Sequence, residues 1–241
     1  MKQFALVYFL FAMLNANSQD DLLKKTDFNR FQLGLNFSSD FCYRILEDID
    51  GADINSYIIE FRNENETIKF GYTTGLNLCV NITGHIGIET GIQYSNKGYK
   101  TKSFDFTFPQ SDPSWPTSSK RRIDHHQIDI PLKINLTIGK KDVQFISSIG
   151  IVSNLSFKET ETSISTYIDG HTEKVTTESA YDYKKYNISP MISAGIDYRI
   201  NGNMNLKIEP TFRYGALQLI DAPITLYLWN AGVNISFYVG F

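Results

Sequence analysis

The residues best suited to bind a metal or move a proton are few: four histidines and two cysteines in 241 residues. His125 and His126 stand beside Asp129, a set that would suit a metal ion or a hydrolytic base. Adjacent side chains on an extended segment point to opposite faces, so the two rings do not converge on one ion. His85 and His171 lie elsewhere, with no carboxylates or thiols clustered at ligand spacing. The G-x-S-x-G, H-E-x-x-H and phosphate-loop patterns are absent. The sequence therefore predicts no catalytic residue, no cofactor and no metal, and what remains is a distribution of charge that depends on the elements carrying it.

Those elements follow from composition and periodicity. Hydrophobic residues make up 42% of the chain, charged residues 20% and aromatics 14%, with formal net charge −3. No apolar run of about eighteen residues occurs, which excludes a bundle of membrane helices. The abundance of Phe and Tyr argues against disorder, and the near-neutral balance gives no footprint for nucleic acid. At the N-terminus, Lys2 precedes an apolar stretch from Phe4 to Leu14, too short to span a bilayer, and then Ala16-Asn17-Ser18. This is the pattern of a signal peptide over 1–18 cleaved before Gln19. An uncleaved N-terminal anchor is the weaker reading, given that length and the polar residues that follow. Loss of Lys2 takes the net charge from −3 to −4. A short segment, 19–29, then leads into one domain, 30–241.

Within that domain, alternation predicts eight strands: Phe31–Phe37, Phe70–Val80, His85–Ser95, His126–Thr137, Val143–Phe157, Tyr186–Tyr198, Met204–Gly215 and Tyr227–Phe241. One parity of each is apolar and carries no Asp, Glu, Lys or Arg. The other holds Glu89, Asp129, Lys133, Asp197, Lys207, Glu209 and Arg213, with ten of the sixteen glycines. Such alternation fits a soluble ligand-binding barrel with its apolar parity inside, or a membrane barrel with that parity facing lipid. Volume favours the second. An eight-stranded barrel has an interior just wide enough for side chains, and Phe, Tyr, Trp, Ile and Leu in most layers would overfill it.

Connection lengths point the same way. Strands two–three, four–five and six–seven are joined by short Gly-containing turns, whereas one–two, three–four and five–six take about thirty residues each. Short periplasmic turns alternating with long external loops describe an all-β, eight-stranded antiparallel up-and-down transmembrane barrel. Aromatics fall at the expected lipid interfaces: Phe31, Tyr198 and Phe241 on the periplasmic side, and Phe37, Phe70, Tyr72, Tyr94, Tyr186, Tyr214 and Tyr227 on the external side. Pro131, Pro190 and Pro210 each remove a ladder donor inside a predicted strand, which predicts bulges, local breaks or shorter strands there.

On this barrel the seven charged residues form a lumen network of three cations and four anions, paired because buried charge must be; a narrow ion path is the alternative. Cys42 falls just past the outer end of strand one and Cys79 near the inner end of strand two, too far apart for a disulfide, so two free thiols are expected. His126 at the rim, with Ser147 or Ser153 on the next strand, is the only arrangement near that of a lipid-modifying enzyme; no acid shares its face, and a triad needs its members within hydrogen-bond reach. Among the loops, Ser38–Lys69 is acidic. The second carries Lys97, Lys100, Lys102 and Lys120-Arg121-Arg122, placed to meet lipid phosphates or loop one. The third continues the alternation to Asp169-Gly170, predicting a projecting hairpin with a type I′ turn.

Two stretches resemble a known family. Gly91 to Lys100, containing Tyr94-Ser95-Asn96-Lys97-Gly98, is similar to a Y-S-x-K-G strand end, and Ile128-Asp129-Ile130-Pro131-Leu132 to an I-P-L strand of the PorT-like outer-membrane β-barrel domain family. The closing strand, with Phe237, Val239 and Phe241, resembles the C-terminal signal read by the barrel-assembly machinery. The resemblance implies an outer-membrane barrel and does not fix an activity. The expectation is a side-chain-filled barrel among outer-membrane lipids, acting as an anchored structural or interaction module or an accessory subunit that meets an envelope partner through its external loops. The alternatives are a narrow pore, a lipid-modifying enzyme or a soluble lipocalin-like binder.

Overall fold

The computed structural model describes residues 29–108, 112–139, 141–179 and 183–241. The expected signal peptide, 1–18, and most of the segment after it lie outside the described residues. Ten strands and one helix follow in chain order: β1 (Phe31–Asp48), α1 (Asp53–Asn65), β2 (Glu66–Asn81), β3 (Ile86–Thr101), β4 (Phe104–Asp105), β5 (Pro116–Ile138), β6 (Val143–Tyr167), β7 (Thr172–Glu178), β8 (Tyr186–Arg199), β9 (Met204–Tyr214) and β10 (Ile224–Gly240). Eight of them pair antiparallel in the order β5-β3-β2-β1-β10-β9-β8-β6, and β6 pairs back to β5, closing a ring. First and last strands meet in one register, with Leu33 opposite Val239 and Phe41 opposite Ala231. Closure leaves no strand edge of the ring unpaired, which a wall in lipid requires.

The burial pattern is that of an inside-out protein. Along β1, Leu33, Leu35, Phe37 and Phe41 are exposed, while Gln32, Asn36, Ser38 and Asp40 are buried. The same division runs through β5, where Ile130, Leu132, Ile134 and Leu136 face outward and Asp129, Lys133 and Asn135 inward. From Phe31 to Phe41, ten residue steps of about 3.3 Å, tilted by about 40°, cover about 25 Å of height. That is the apolar band a bilayer needs.

The strands run further outward than periodicity suggested. β1 continues to Asp48, so Phe37 sits in mid-wall, opposite Thr74 and Ile235, rather than in the external girdle. Phe41, with its ring centroid 4.8 Å from that of Phe70, and Tyr43, 6.3 Å from Trp229, take that place. The acidic loop one is mostly the outer end of β1 and the helix α1, which the sequence reading did not anticipate. Phe31 stacks on Phe241 (6.0 Å), Tyr72 lies 5.7 Å from Tyr94, and Tyr214 stacks on Tyr227 (6.2 Å). Tyr186 and Tyr198 are exposed on the wall.

Pro131 and Pro210 interrupt ladders without shifting them. Pairing of β3 with β5 lapses between Thr90–Leu132 and Gln93–Asp129, around Pro131, and resumes in the same register. The β8–β9 ladder lapses likewise around Pro210, and Pro190 lies one residue beyond its end. The irregular registers occur away from these three, between Ile68 and Tyr72, between Pro116 and Ser118 and at His126/Gln127.

Outside the band, β5 and β6 stay paired, β4 adds to β5 and β7 to β6, making a four-stranded fin. Its hairpin tip is not the type I′ turn expected at Asp169-Gly170. Gly170 has φ +83° but no described non-glycine residue has positive φ, so Asp169 cannot be its first left-handed residue. Gly170 N–H donates to the Tyr167 carbonyl (2.9 Å) and Tyr167 N–H to that of His171 (3.0 Å). That is a type I turn closed by a left-handed glycine.

Candidate functional site: the lumen and its outer cap

The inward parity of the ring fills the lumen in layers. In the inner half, Tyr238 lies wholly buried across the bore. It fits because Gly34 faces it: a Cβ there would stand 2.5 Å from the Tyr238 ring. Asn77 Nδ2 donates to Tyr238 Oη (3.2 Å) and to Glu89 (3.1 Å), and Lys207 Nζ sits 4.2 Å from the ring centroid. Lys133 Nζ bridges Glu89 (3.2 Å) and Glu209 (3.3 Å), while Lys207 reaches the other oxygen of Glu89 at 3.7 Å. Asn135 donates to that same Glu89 oxygen, and Ser148 and Ser193 both donate to the remaining oxygen of Glu209. Two cations thus hold two carboxylates in a region nearly closed to solvent, and Asp197 accepts from Asn205 beside them (2.9 Å).

The next layers contain residues beyond the expected network. Asp129 is paired by Lys97 (2.8 Å) and accepts from Asn154 (2.6 Å). Arg213 donates to Thr73 (3.2 Å), which itself donates to Asp40. Further out, Lys69 pairs with Asp124 at 2.5 Å and also bonds Asn96, and Arg122 closes on Asp124 from the rim. Of the seven expected charges, Glu89, Lys133, Lys207 and Glu209 form one connected cluster, with Asp197 opposite Lys207 in the β8–β9 register. Asp129 and Arg213 belong to the outer layers. Lys69, Lys97, Asp124 and Asp40 were missed because their strands were ended too early. Their signal is plain: Lys97 continues the inward parity of Gln93 and Ser95, and Lys69 that of Gly71 and Thr73.

Above the charges the chemistry changes. Tyr99, Tyr183, Leu219, Leu226 and Leu228 form a buried apolar cluster, backed by Tyr43, Leu46, Ile123 and Ile220. These residues come from the outer ends of β1, β3, β5 and β10 and from the segments beside β8 and β9, so they converge over the mouth of the ring. At its margin Glu66 receives Arg44 (2.7 Å) and Arg62 (2.8 Å), and Arg62 also donates to Tyr99 Oη (3.2 Å). This polar clasp ties α1 and the start of β2 to β1 and β3. Above it opens a cavity of about 690 Å³ beneath α1.

The histidines do not assemble a centre. His125 is fully buried with its ring edge-on to Tyr183 at 4.7 Å. His126 meets Tyr94 Oη at 2.6 Å and Thr160 at 3.4 Å. Ser153 stands beside Ile130, about 13 Å along the strand from His126, and Ser147 bonds the Ser193 carbonyl. Among the described residues no group of three or more His, Cys, Asp or Glu is placed to hold a metal ion. Cys42 and Cys79 are buried free thiols.

A closed ring with lipid-compatible walls and a charge-filled bore defines a small outer-membrane β-barrel. The chain belongs to the outer membrane protein beta-barrel domain family, whose model matches residues 51–216. Among solved structures it is similar to OprG from Pseudomonas aeruginosa (TM-score 0.51, 12% identity, 90% of this chain and 100% of that one). It is also matched by the Neisserial surface protein NspA (TM-score 0.42, 10% identity, 88% and 97%) and by Ail of Yersinia pestis (0.35, 10%, 87% and 99%). At these identities the likeness is one of fold. No curated protein matches the chain. The protein is placed in the outer membrane.

Proposed function

We propose that this barrel is a non-conducting anchor that presents a structured external layer to an envelope partner, as an accessory subunit of PorT-like kind. The observation that carries the reading is the double closure of the bore, by Tyr238 and the Glu89–Lys133–Glu209 cluster within and by the Tyr99–Leu226 cluster above. Transport needs one continuous polar path, and an apolar cap over a charge-filled bore opposes it. The external layer, by contrast, is ordered: α1 is clasped through Glu66, and the fin extends β5 and β6. The Y-S-x-K-G and I-P-L stretches support the PorT-like assignment. We further assign residues 1–18 to an export signal and Phe237, Val239 and Phe241 to recognition by the assembly machinery; all three side chains are exposed on the wall.

Planar-bilayer recording of the refolded protein tests this. The expected record has no unitary steps, and regular steps at each insertion overturn the reading. Orientation is checked on intact cells with Tyr57→Cys, a site 69% exposed on α1. An impermeant maleimide labels it if the helix lies outside, and failure to label places the helix on the wrong side.

A further inference from the structure

The cavity beneath α1 lies above the apolar cap, and nothing in the barrel's role as an anchor requires it. Its volume, about 690 Å³, is that of a small-molecule site. Ile58 and Phe61 of α1 form one wall and Phe104 of β4 with Phe106 just after it another, over a floor of Tyr99 and Leu226. Phe61 and Phe104 are both more than half exposed, although they stand beyond the aromatic girdle where no lipid covers them. Large aromatics left open to water around a concavity mark a surface that takes an occupant. Phe104 and Phe106 stand edge to face, centroids 5.9 Å apart, an arrangement that admits a further ring.

The polar lining is unbalanced. Arg62, Lys102 and Arg121 face Glu66 and Glu161. Glu66 is already shared between Arg62 and Arg44. Arg121 meets Glu161 at only 3.3 Å from an exposed position, and Lys102 has no ion pair among the described residues. The surplus is positive and stands at the edge of an apolar cup. We infer that this cup binds a small amphipathic anion from the external medium, its ring or short acyl body between Phe61, Phe104 and Phe106 and its carboxylate-type head at Lys102 and Arg121. The site is tested apart from the conductance reading, since its occupancy is read by titration of residues at and above the cap and not by current through the bore.

The test uses the mature barrel in phosphatidylcholine nanodiscs, titrated calorimetrically with biphenyl-4-carboxylate and its neutral amide, with empty discs subtracted. The expected result is saturable binding of one carboxylate per barrel, about tenfold tighter than the amide, the worth of one charge-assisted contact. Lys102→Glu with Arg121→Glu should erase that preference, and Phe104→Ser with Phe106→Ser should weaken both compounds by about tenfold or more. Heat-dependent gel mobility establishes that each variant is folded. Uptake equal to that of empty discs, equal affinity for acid and amide, or indifference to both double substitutions overturns the inference. So does loss of binding in discs doped with phosphatidylglycerol at constant ionic strength, which would make a lipid headgroup the occupant.

Discussion

Replacing Lys133 by Met puts the inner charge cluster under the sharpest strain. Lys133 Nζ is the bridge between Glu89 (3.2 Å) and Glu209 (3.3 Å), all three being almost wholly buried. Without it Glu89 keeps Lys207 at 3.7 Å, whereas Glu209 keeps only the hydroxyls of Ser148 and Ser193, with no other cation within 4.0 Å among the described residues. Methionine matches the stem of lysine, so packing changes little and the effect is electrostatic. Breaking a buried pair from one side costs about 3–5 kcal/mol, because the surviving charge is left desolvated. The cost is read from urea unfolding in phosphatidylcholine vesicles, followed by the fluorescence of Trp229 in the wall. The double variant Lys133→Met/Glu209→Gln removes the stranded charge as well and should recover at least half of the loss. A single-variant cost below about 1 kcal/mol, typical of a solvated ion pair, would mean that water fills the bore and that the cluster does not close it. Equal losses in the single and double variants would refute the assignment of Glu209 as the stranded partner.

Gly34→Ala should destabilise the barrel by about 1–3 kcal/mol through overpacking, since the new methyl meets the Tyr238 ring at 2.5 Å; combining it with Tyr238→Leu should return most of that loss in the same urea assay. At the fin's tip the His171 backbone N–H (3.0 Å), with its ring, holds the exposed Asp169 carboxyl below the ordinary carboxylate value. A carboxylate favoured in the folded turn stabilises it above the unfolded pKa and loses that contribution as pH falls through the lower folded value; amide exchange at Gly170 and His171 should accelerate there, and a flat profile across the acidic range refutes the contact. Cys42 and Cys79, buried and unpaired, should resist maleimide until urea unfolds the barrel, and rapid labelling of the folded protein or recovery of a disulfide contradicts their placement.

The wall was legible because one rule governs it. Every second residue of β5 from Ile128 to Leu136 must satisfy lipid, so the alternation survives in the sequence without exception. Once strands leave the bilayer that demand lapses. Residues 38–48 read as an acidic loop, yet Asp40 and Arg44 are inward side chains of β1, buried by partners on β2 that only the folded ring supplies. Helix α1 escaped a reading tuned to period two, although Ile54, Tyr57, Ile58 and Phe61 have helical spacing. The tip of the third loop is legible in the sequence but its turn type is not, because Asp-Gly signals a left-handed pair only where both residues adopt it; here Asp169 stays outside that region and accepts from His171 instead. The lumen cluster was half legible for a different cause. Parity gives the face, but which charges touch also depends on strands such as β9 and β5, which do not pair and meet only across the bore.

The two closures differ in chemistry, and that difference decides where recognition can occur. The inner one is ionic and made by side chains of the membrane-spanning strands, so its occupants are fixed by the fold itself. The outer one is apolar and includes Tyr183, Leu219 and Ile220 from the segments beside β8 and β9. A solute arriving from outside therefore reaches the cup above Tyr99 and Leu226 and goes no further; to pass, it would have to displace an apolar cluster and then enter a bore where Glu89 and Glu209 already hold Lys133 and Lys207. Burying another ion there costs several kcal/mol, whereas leaving by the way it came costs only the contacts made in the cup. The architecture thus separates the part that anchors from the part that recognises. Substitutions in the cup should alter ligand affinity without altering unfolding in urea, and substitutions in the bore the reverse. A variant pair that shifts both measurements together, such as Phe104→Ser/Phe106→Ser lowering barrel stability as much as Lys133→Met, would refute that separation.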